Sequence, residues 1–208
     1  RWFLMKVSII NFNSGNLFSI KKSIKDLRHD AFICYDSDDL SKSDKIIFPG
    51  VGSYHNAMIY LTKFGFIDEL NDLVLKKGVH ILGICLGMQL FCNSSNEKSF
   101  TKGLSYIDAD VVSLKEMGCN FKLPHVGWNN ICIKKKHKIL ENIQDNSDFY
   151  FVHNYGIKCN EKNSILTTSS YGVDFVSMFY KNNIFGSQFH PEKSSFIGSK
   201  LIENFLKL

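Results

Sequence analysis

The stretch Val79-His80-Ile81-Leu82-Gly83-Ile84-Cys85-Leu86-Gly87-Met88-Gln89 decides how the chain is read. Residues 79–84 form a strand that runs into Cys85 and then into a helix. The segment Gly83-Ile84-Cys85-Leu86-Gly87 has the spacing G-x-C-x-G, the cysteine counterpart of the G-x-S-x-G nucleophile elbow. The turn is so tight that side chains at the two glycine positions would meet neighbouring elements. Cys85 then stands at a sheet edge and at the start of a helix, where exposed amides and the helix dipole favour a thiolate. The amide of Leu86 is placed to donate to an oxyanion. An inert core cysteine between packing glycines is the plainer alternative. The other five cysteines, at 34, 92, 119, 132 and 159, lack this context and read as core or surface thiols.

On the N-terminal side the pattern alternates. Residues 6–10 read as a short buried strand and 11–16 as a polar turn. Leu17, Ile20, Ile24 and Leu27 follow at helical spacing. A second strand covers 31–35, residues 36–44 are polar and loop-like, and a third strand covers 45–48, ending at Pro49-Gly50-Val51-Gly52. A helical stretch turns Ile67, Leu70, Leu73 and Val74 inward and stops at Gly78. This alternation of strands and helices implies an α/β fold with a central, mostly parallel sheet covered on both faces. Towards the C-terminus, 111–114, 130–134, 149–153, 164–168, 175–180 and 184–189 are short, β-rich and separated by turns. They are expected as mixed or antiparallel strands added to the same sheet. A last helix runs over about 196–206, with Leu201, Ile202, Phe205 and Leu206 apolar. Without a linker-like segment or an internal repeat, one domain over 5–208 is expected. Met5 reads as a natural start, with residues 1–4 a tag remnant or an extension.

A nucleophile needs a base. His190 lies in Gln188-Phe189-His190-Pro191-Glu192, directly after an apolar strand. Pro191 biases His190 towards an extended backbone, and in an extended chain side chains two apart project the same way. Glu192 is thereby expected to reach the imidazole, fix its tautomer and stabilise its cation, as the third member of a triad does. Strand ends at one edge of a parallel sheet are where open α/β folds bind ligands. The glycines of Pro49-Gly50-Val51-Gly52 allow a backbone amide to approach a reacting carbonyl, as an oxyanion hole requires.

Composition sets the outer bounds. The 208 residues, 44% hydrophobic and 22% charged, are ordinary globular values and exclude disorder, collagen and a disulfide miniprotein. The longest mostly apolar run, 79–91, falls short of the ~20 residues of a membrane span, so no membrane association is expected. The net charge of +5 is mild, and its densest run, Lys134-Lys135-Lys136-His137-Lys138, reads as a solvated loop or strand end. It lacks aromatic interleaving, so no nucleic-acid partner is expected. No C-x-x-C pair suggests zinc, the histidines are scattered, and no phosphate loop is present. Metal and organic cofactors are therefore not expected. Reading no secretory signal, we expect free thiols and a cytoplasmic location.

In this order and spacing, the cysteine elbow, Pro49-Gly50-Val51-Gly52 and Gln188-Phe189-His190-Pro191-Glu192 resemble the class I glutamine amidotransferases with a Cys-His-Glu triad. The resemblance spans nearly the whole chain. Gly15-Asn16-Leu17, Pro124-His125-Val126-Gly127-Trp128-Asn129, Tyr150-Phe151-Val152-His153-Asn154-Tyr155 and the ending Glu192-Lys193-Ser194 are similar to the glutaminase subunits of imidazole glycerol phosphate synthases. The resemblance implies the single-domain class I glutamine amidotransferase fold. It implies Cys85, His190 and Glu192 as the triad, Gly50, Val51, Gly52 and Leu86 as oxyanion or switch residues, and Gln89, Asn154 and Tyr155 as the glutamine site. It also implies a heterodimer in which ammonia passes to a (β/α)8-barrel cyclase subunit in histidine biosynthesis, with Pro124, Trp128, Asn129 and Lys193 near the interface.

Some segments depart from that pattern. Asn11-Phe12-Asn13 stands where Asp-Tyr-Gly is usual, and Asn154 where Ser is commoner. The stretch Tyr171-Gly172-Val173-Asp174-Phe175 and the tail after Ser194 are closer to paralogues that work with a cyclase-like subunit and supply ammonia for sugar amidination in surface polysaccharide or flagellin glycans. The triad is intact in either case. A cysteine peptidase on the same fold would leave Gln89 and the glutamine-pocket segments unexplained.

Overall fold

A computed structural model describes residues 5–12 and 16–208. The expectations that fall on residues 1–4 and on Asn13 and Gly15 lie outside the described residues. The main sheet begins with β1 (Val7–Ile10), β2 (Ala31–Cys34), β3 (Lys45–Gly50) and β4 (His80–Cys85). Between them lie α1 (Leu17–Asp26), α2 (Ser37–Leu40), α3 (Tyr54–Lys63) and α4 (Phe66–Leu70), the last running on into a π-helical turn, Asn71–Lys76. The elbow helix is α5 (Leu86–Leu90). After it come β5 (Ser94–Ser95), β6 (Thr101–Lys102), β7 (Ala109–Ser113), β8 (His125–Asn130), β9 (Cys132–Ile133), β10 (Asp148–His153), β11 (Tyr155–Cys159), β12 (Ile165–Ser170), β13 (Asp174–Lys181) and β14 (Ile184–Ser187). The chain closes with α6 (Ser195–Lys207).

Eight strands make the main sheet, in the order β2-β1-β3-β4-β14-β13-β12-β9. From β2 to β14 every pair is parallel, and from β14 to β9 every pair is antiparallel. The parallel half has the composition that two covered faces demand: β1 and β3 are buried along their whole length. Ile46 and Phe48 of β3 face the layer built on α3 and α4, and Ile47 faces the layer of α1 and α6. The α1 stripe sits as its spacing requires, with Ile20 and Ile24 buried and Leu17 and Leu27 packed at its margin. On α6, Leu201, Ile202 and Phe205 are fully buried, contributing roughly 1.5–3 kcal/mol each.

The structure corrects three expectations. Residues 111–114 and 149–153 do not join the main sheet. The first lies at β7, in a four-stranded sheet ordered β11-β7-β5-β6, and the second is β10, which pairs only with β8. Short strands of similar composition declare that they pair, but not with which partner. The polar segment 36–44 holds the single helical turn α2, which the Asp36 side chain caps by accepting from the Asp39 amide at 3.0 Å. Strand β3 continues through Pro49 to Gly50. Its neighbour β1 stops pairing at Ile47, so Pro49 has a ladder partner on the β4 side alone, an arrangement that tolerates a missing N–H. Among the described residues no helix is long and apolar enough to cross a membrane.

Candidate active site

Cys85 ends β4 and starts α5 with φ +54° and ψ −110°. Such a conformation costs a non-glycine residue about 1–3 kcal/mol and persists only where its surroundings over-determine it. Here the surroundings are the two glycines. A Cβ on Gly87 would run into the Phe48 carbonyl of β3, and one on Gly83 would sit 2.7 Å from the Met88 amide. Both positions let the elbow lie flat against the sheet. The Cys85 sulfur is 3.8 Å from the Val152 carbonyl and accepts from the Gln188 amide at 3.6 Å.

Next to β4, strand β14 runs parallel with Ser187 opposite Ile84, so the segment after it arrives at the edge where Cys85 stands. His190 is extended, at φ −100° and ψ 94°, and its amide donates to the Tyr150 carbonyl of β10 at 2.9 Å. The backbone after it is not extended as the sequence suggested. Pro191–Lys193 form a 3₁₀ turn, because proline is pre-set for a first helical position and Ser194 closes the turn. The Ser194 hydroxyl donates to the His190 carbonyl at 2.6 Å and accepts from the Tyr150 amide at 3.0 Å. Glu192 nevertheless reaches His190, with Oε1 2.8 Å from Nδ1 and both side chains buried.

Burial works most strongly against the charged form of His190. The Cys85 sulfur and the Glu192 carboxylate together outweigh it and raise the His190 pKa to about 10. His190 Nε2 and Glu192 Oε2 are both buried, with no hydrogen-bond partner among the described residues. Nε2 is the ring nitrogen on the Cys85 side of the pair, since Nδ1 is taken by Glu192. This leaves a proton donor whose electrostatic partner is the sulfur and whose orientation is set by a carboxylate.

The elbow opens on a cavity of about 320 Å³ lined by Val51, Gly52, Cys85, Leu86 and Gln89 from one side and by Asn154 and Tyr155 from the other. Gly50 lies opposite Cys85 in the β3–β4 register, which carries Val51 and Gly52 alongside the sulfur. Gly52 has φ +104°, a conformation that favours glycine. Gln89, only 6% exposed, is not a solvent-facing helix residue. Its amide nitrogen donates to the Tyr155 carbonyl at 3.1 Å and to Gln188 Oε1 at 2.9 Å. Sequence reasoning passed over Gln188, Glu97 and His153, all of which belong here. Glu97 lines the cavity, with Oε2 accepting from the Tyr54 amide at 2.7 Å. Gln188 was legible only as part of the histidine motif.

Of the four remaining expected residues, the structure brings Trp128 and Lys193 together around Tyr150. Pro124 is exposed just before β8, and Trp128 on β8 is 55% exposed, so it is no core aromatic. Its ring meets Tyr150 edge-on at 6.2 Å, and the ammonium of exposed Lys193 lies 5.7 Å from the other partner of that cluster, the Tyr150 ring. Asn129 is half-buried, with its amide turned inward to the Ser170 carbonyl at 2.9 Å and to His125.

The sequence profile of the class I glutamine amidotransferase family matches residues 8–208. The imidazole glycerol phosphate synthase subunit HisH 2 of Methanococcus maripaludis is 46% identical, covering 97% of this chain and 98% of its own length. The subunit HisH 1 of Campylobacter jejuni is 42% identical, covering 97% and 100%. Among solved structures, PurLQS from Thermotoga maritima superposes with a TM-score of 0.77 over 99% of both chains at 14% identity. A putative GMP synthase subunit from Thermoplasma acidophilum gives 0.74 over 100% and 94% at 20% identity. At these identities the structures speak for the fold alone, whereas the sequence matches carry the assignment: the chain belongs to the class I glutamine amidotransferase family.

Proposed function

We propose that the chain is the glutaminase subunit of an imidazole glycerol phosphate synthase, and that it hydrolyses glutamine to glutamate and ammonia through Cys85, His190 and Glu192. The observation that carries the reading is a strained elbow cysteine beside a buried His–Glu pair, at the mouth of a small cavity. Relatives more than 40% identical along nearly their full length bear that enzyme's name.

Each residue then has a chemical task. The Cys85 sulfur attacks the side-chain amide carbon of glutamine. Backbone amides of Val51, Gly52 and Leu86 hold the oxyanion, an interaction worth roughly 3–4 kcal/mol per donor in comparable sites. His190 transfers its proton to the departing nitrogen, the C–N bond breaks, and ammonia leaves a glutamyl thioester. His190, now neutral, takes a proton from water as the hydroxyl attacks the thioester carbon. Glutamate departs and the proton on His190 is restored. Glu192 keeps the imidazole oriented and stabilises its cation. Gln89, Asn154 and Tyr155 hold the substrate, and the Glu97 carboxylate suits its α-ammonium group.

Ammonia released into water is protonated and lost, so the reading includes delivery to a (β/α)8-barrel cyclase subunit, which forms imidazole glycerol phosphate and aminoimidazole carboxamide ribonucleotide. Pro124, Trp128, Asn129 and Lys193 lie near the docking face. The glycine-flanked peptide at Gly50-Val51-Gly52 serves as the switch, since turning it places or removes an oxyanion donor. The complex is cytoplasmic. The test is glutamate release by the chain alone and mixed with the cyclase subunit of the same organism and its ribonucleotide substrate. Strong stimulation by the mixture is expected. Unstimulated release from a protein with reactive Cys85 would contradict the assignment to this enzyme.

A further inference from the structure

Two buried histidines take no part in the proposed chemistry. His125 on β8 and His153 on β10 face each other across the strand pair, 3% and 6% exposed. His153 Nδ1 lies 2.8 Å from the Tyr155 carbonyl oxygen. A carbonyl only accepts, so Nδ1 carries the proton. Burial holds the pKa of His153 down to about 3 and that of His125 down to about 4, so each ring carries a single proton at neutral pH. His153 Nε2 is then an acceptor, and His125 Nδ1, 2.9 Å away, must donate to it. His125 Nε2 is left as an acceptor and receives the Asn129 amide at 3.3 Å. All four ring nitrogens are used, and every donor points the same way along the chain.

The chain continues into the pocket. The Tyr155 carbonyl that takes the His153 proton also takes one hydrogen of the Gln89 amide, whose second goes to Gln188 Oε1. Gln188 in turn donates to the Cys85 sulfur. With both nitrogen-bound hydrogens committed, the Gln89 amide has one orientation, and Oε1 is the atom it offers to a ligand. Had His153 the opposite tautomer, its Nδ1 lone pair would face the Tyr155 carbonyl and push it away from Gln89.

We propose that His125 and His153 are positioning residues: the directional chain from Asn129 through the two imidazoles to the Tyr155 carbonyl holds Gln89 in the orientation that binds glutamine. The proposal rests on the glutaminase reading and extends it to two residues that act through Gln89. His125 is the residue to change, because it does not line the cavity and its ring packs in an aromatic nest, 4.1 Å from Tyr171 and 5.0 Å from Phe151. His125→Phe keeps the ring and leaves His153 Nε2 without its donor. His125→Asn restores an N–H near the position of Nδ1.

In the full-length chain, the KM for glutamine is expected to rise about tenfold in His125→Phe, in proportion to one weakened hydrogen bond, with kcat within threefold. In His125→Asn the KM is expected to return to within threefold of the parent. An unchanged KM in His125→Phe, or an Asn variant no better than the Phe variant, would overturn the proposal. Imidazole ¹⁵N spectra of the unaltered protein test it without turnover. A proton on Nδ1 of both rings is expected, and a proton on Nε2 of His153 would overturn it. A protein with both expected tautomers that releases no glutamate even with the cyclase subunit and its ribonucleotide substrate present would contradict the glutaminase reading and not the hydrogen-bond chain, so the two failures are distinguishable.

Discussion

Cys85 holds a backbone conformation that only its neighbours make tolerable, and that dependence separates two kinds of variant. Gly87→Ala puts a methyl group into the Phe48 carbonyl. The expected loss of stability is about 1–3 kcal/mol, as for other overpacked positions, and glutamate release should fall with it as the elbow shifts. Cys85→Ala removes the sulfur from an intact elbow. It should abolish glutamate release and leave the thermal midpoint within a few degrees of the parent. Glu192→Ala should fall between the two. It leaves the buried His190 without its orienting carboxylate, and release should drop by about 10²-fold while remaining measurable. Thermal unfolding beside a glutamate assay distinguishes the three variants.

The β8–β10 pair shows how one element serves both packing and chemistry. Its inward residues include His125, Phe149, Phe151 and His153, all buried, and its outward residues include Val126 and Trp128, both exposed. The two inward histidines have folded-state pKa values of about 4 and about 3, below the value of about 6.5 for an unfolded histidine. The unfolded chain therefore binds protons that the folded chain refuses. The stability the pair contributes is complete above about pH 6.5 and is lost as pH falls from there towards about 3. His80 and His137, partly exposed and also shifted down by burial, add to the slope more weakly. Thermal midpoints should fall over this window, and His125→Phe should flatten the decline.

The same pair marks the limit of what the sequence discloses. The strands β1, β3 and β4 announce themselves because both their faces are buried, and Cys85, His190 and Glu192 announce themselves because the chemistry of each is tied to a local turn. Strands β8 and β11 do not, since Gly127 at φ +135° and Gly156 interrupt their patterns. Gln188 and Gln89 touch across 99 positions, and no local pattern reports such a contact. Glu97 and the two histidines are likewise visible only once separate strands have been brought together.

Taken whole, the molecule places its reactive edge and an exposed aromatic, Trp128, side by side. His190 is tied by its own amide to Tyr150, and Tyr150 touches both Trp128 and Lys193. A partner seated on Trp128 would therefore rest one residue away from the triad. Exposed aromatics at the centre of an interface commonly contribute about 2 kcal/mol or more to binding. Trp128→Ala should thus weaken association with the cyclase subunit at least about 30-fold, measured by titration calorimetry, without altering the fold of the isolated chain. The central claim, however, concerns Cys85. All six cysteines are free, and Cys132 and Cys159 are the more exposed, so selective chemistry at Cys85 cannot come from accessibility. The most direct measurement is mass-spectrometric mapping of thiol adducts after treatment with a glutamine-mimicking electrophile, with and without competing glutamine. A single adduct on Cys85 that glutamine suppresses is the predicted result. Adducts distributed over Cys132 and Cys159, or a Cys85 adduct indifferent to glutamine, would contradict the account.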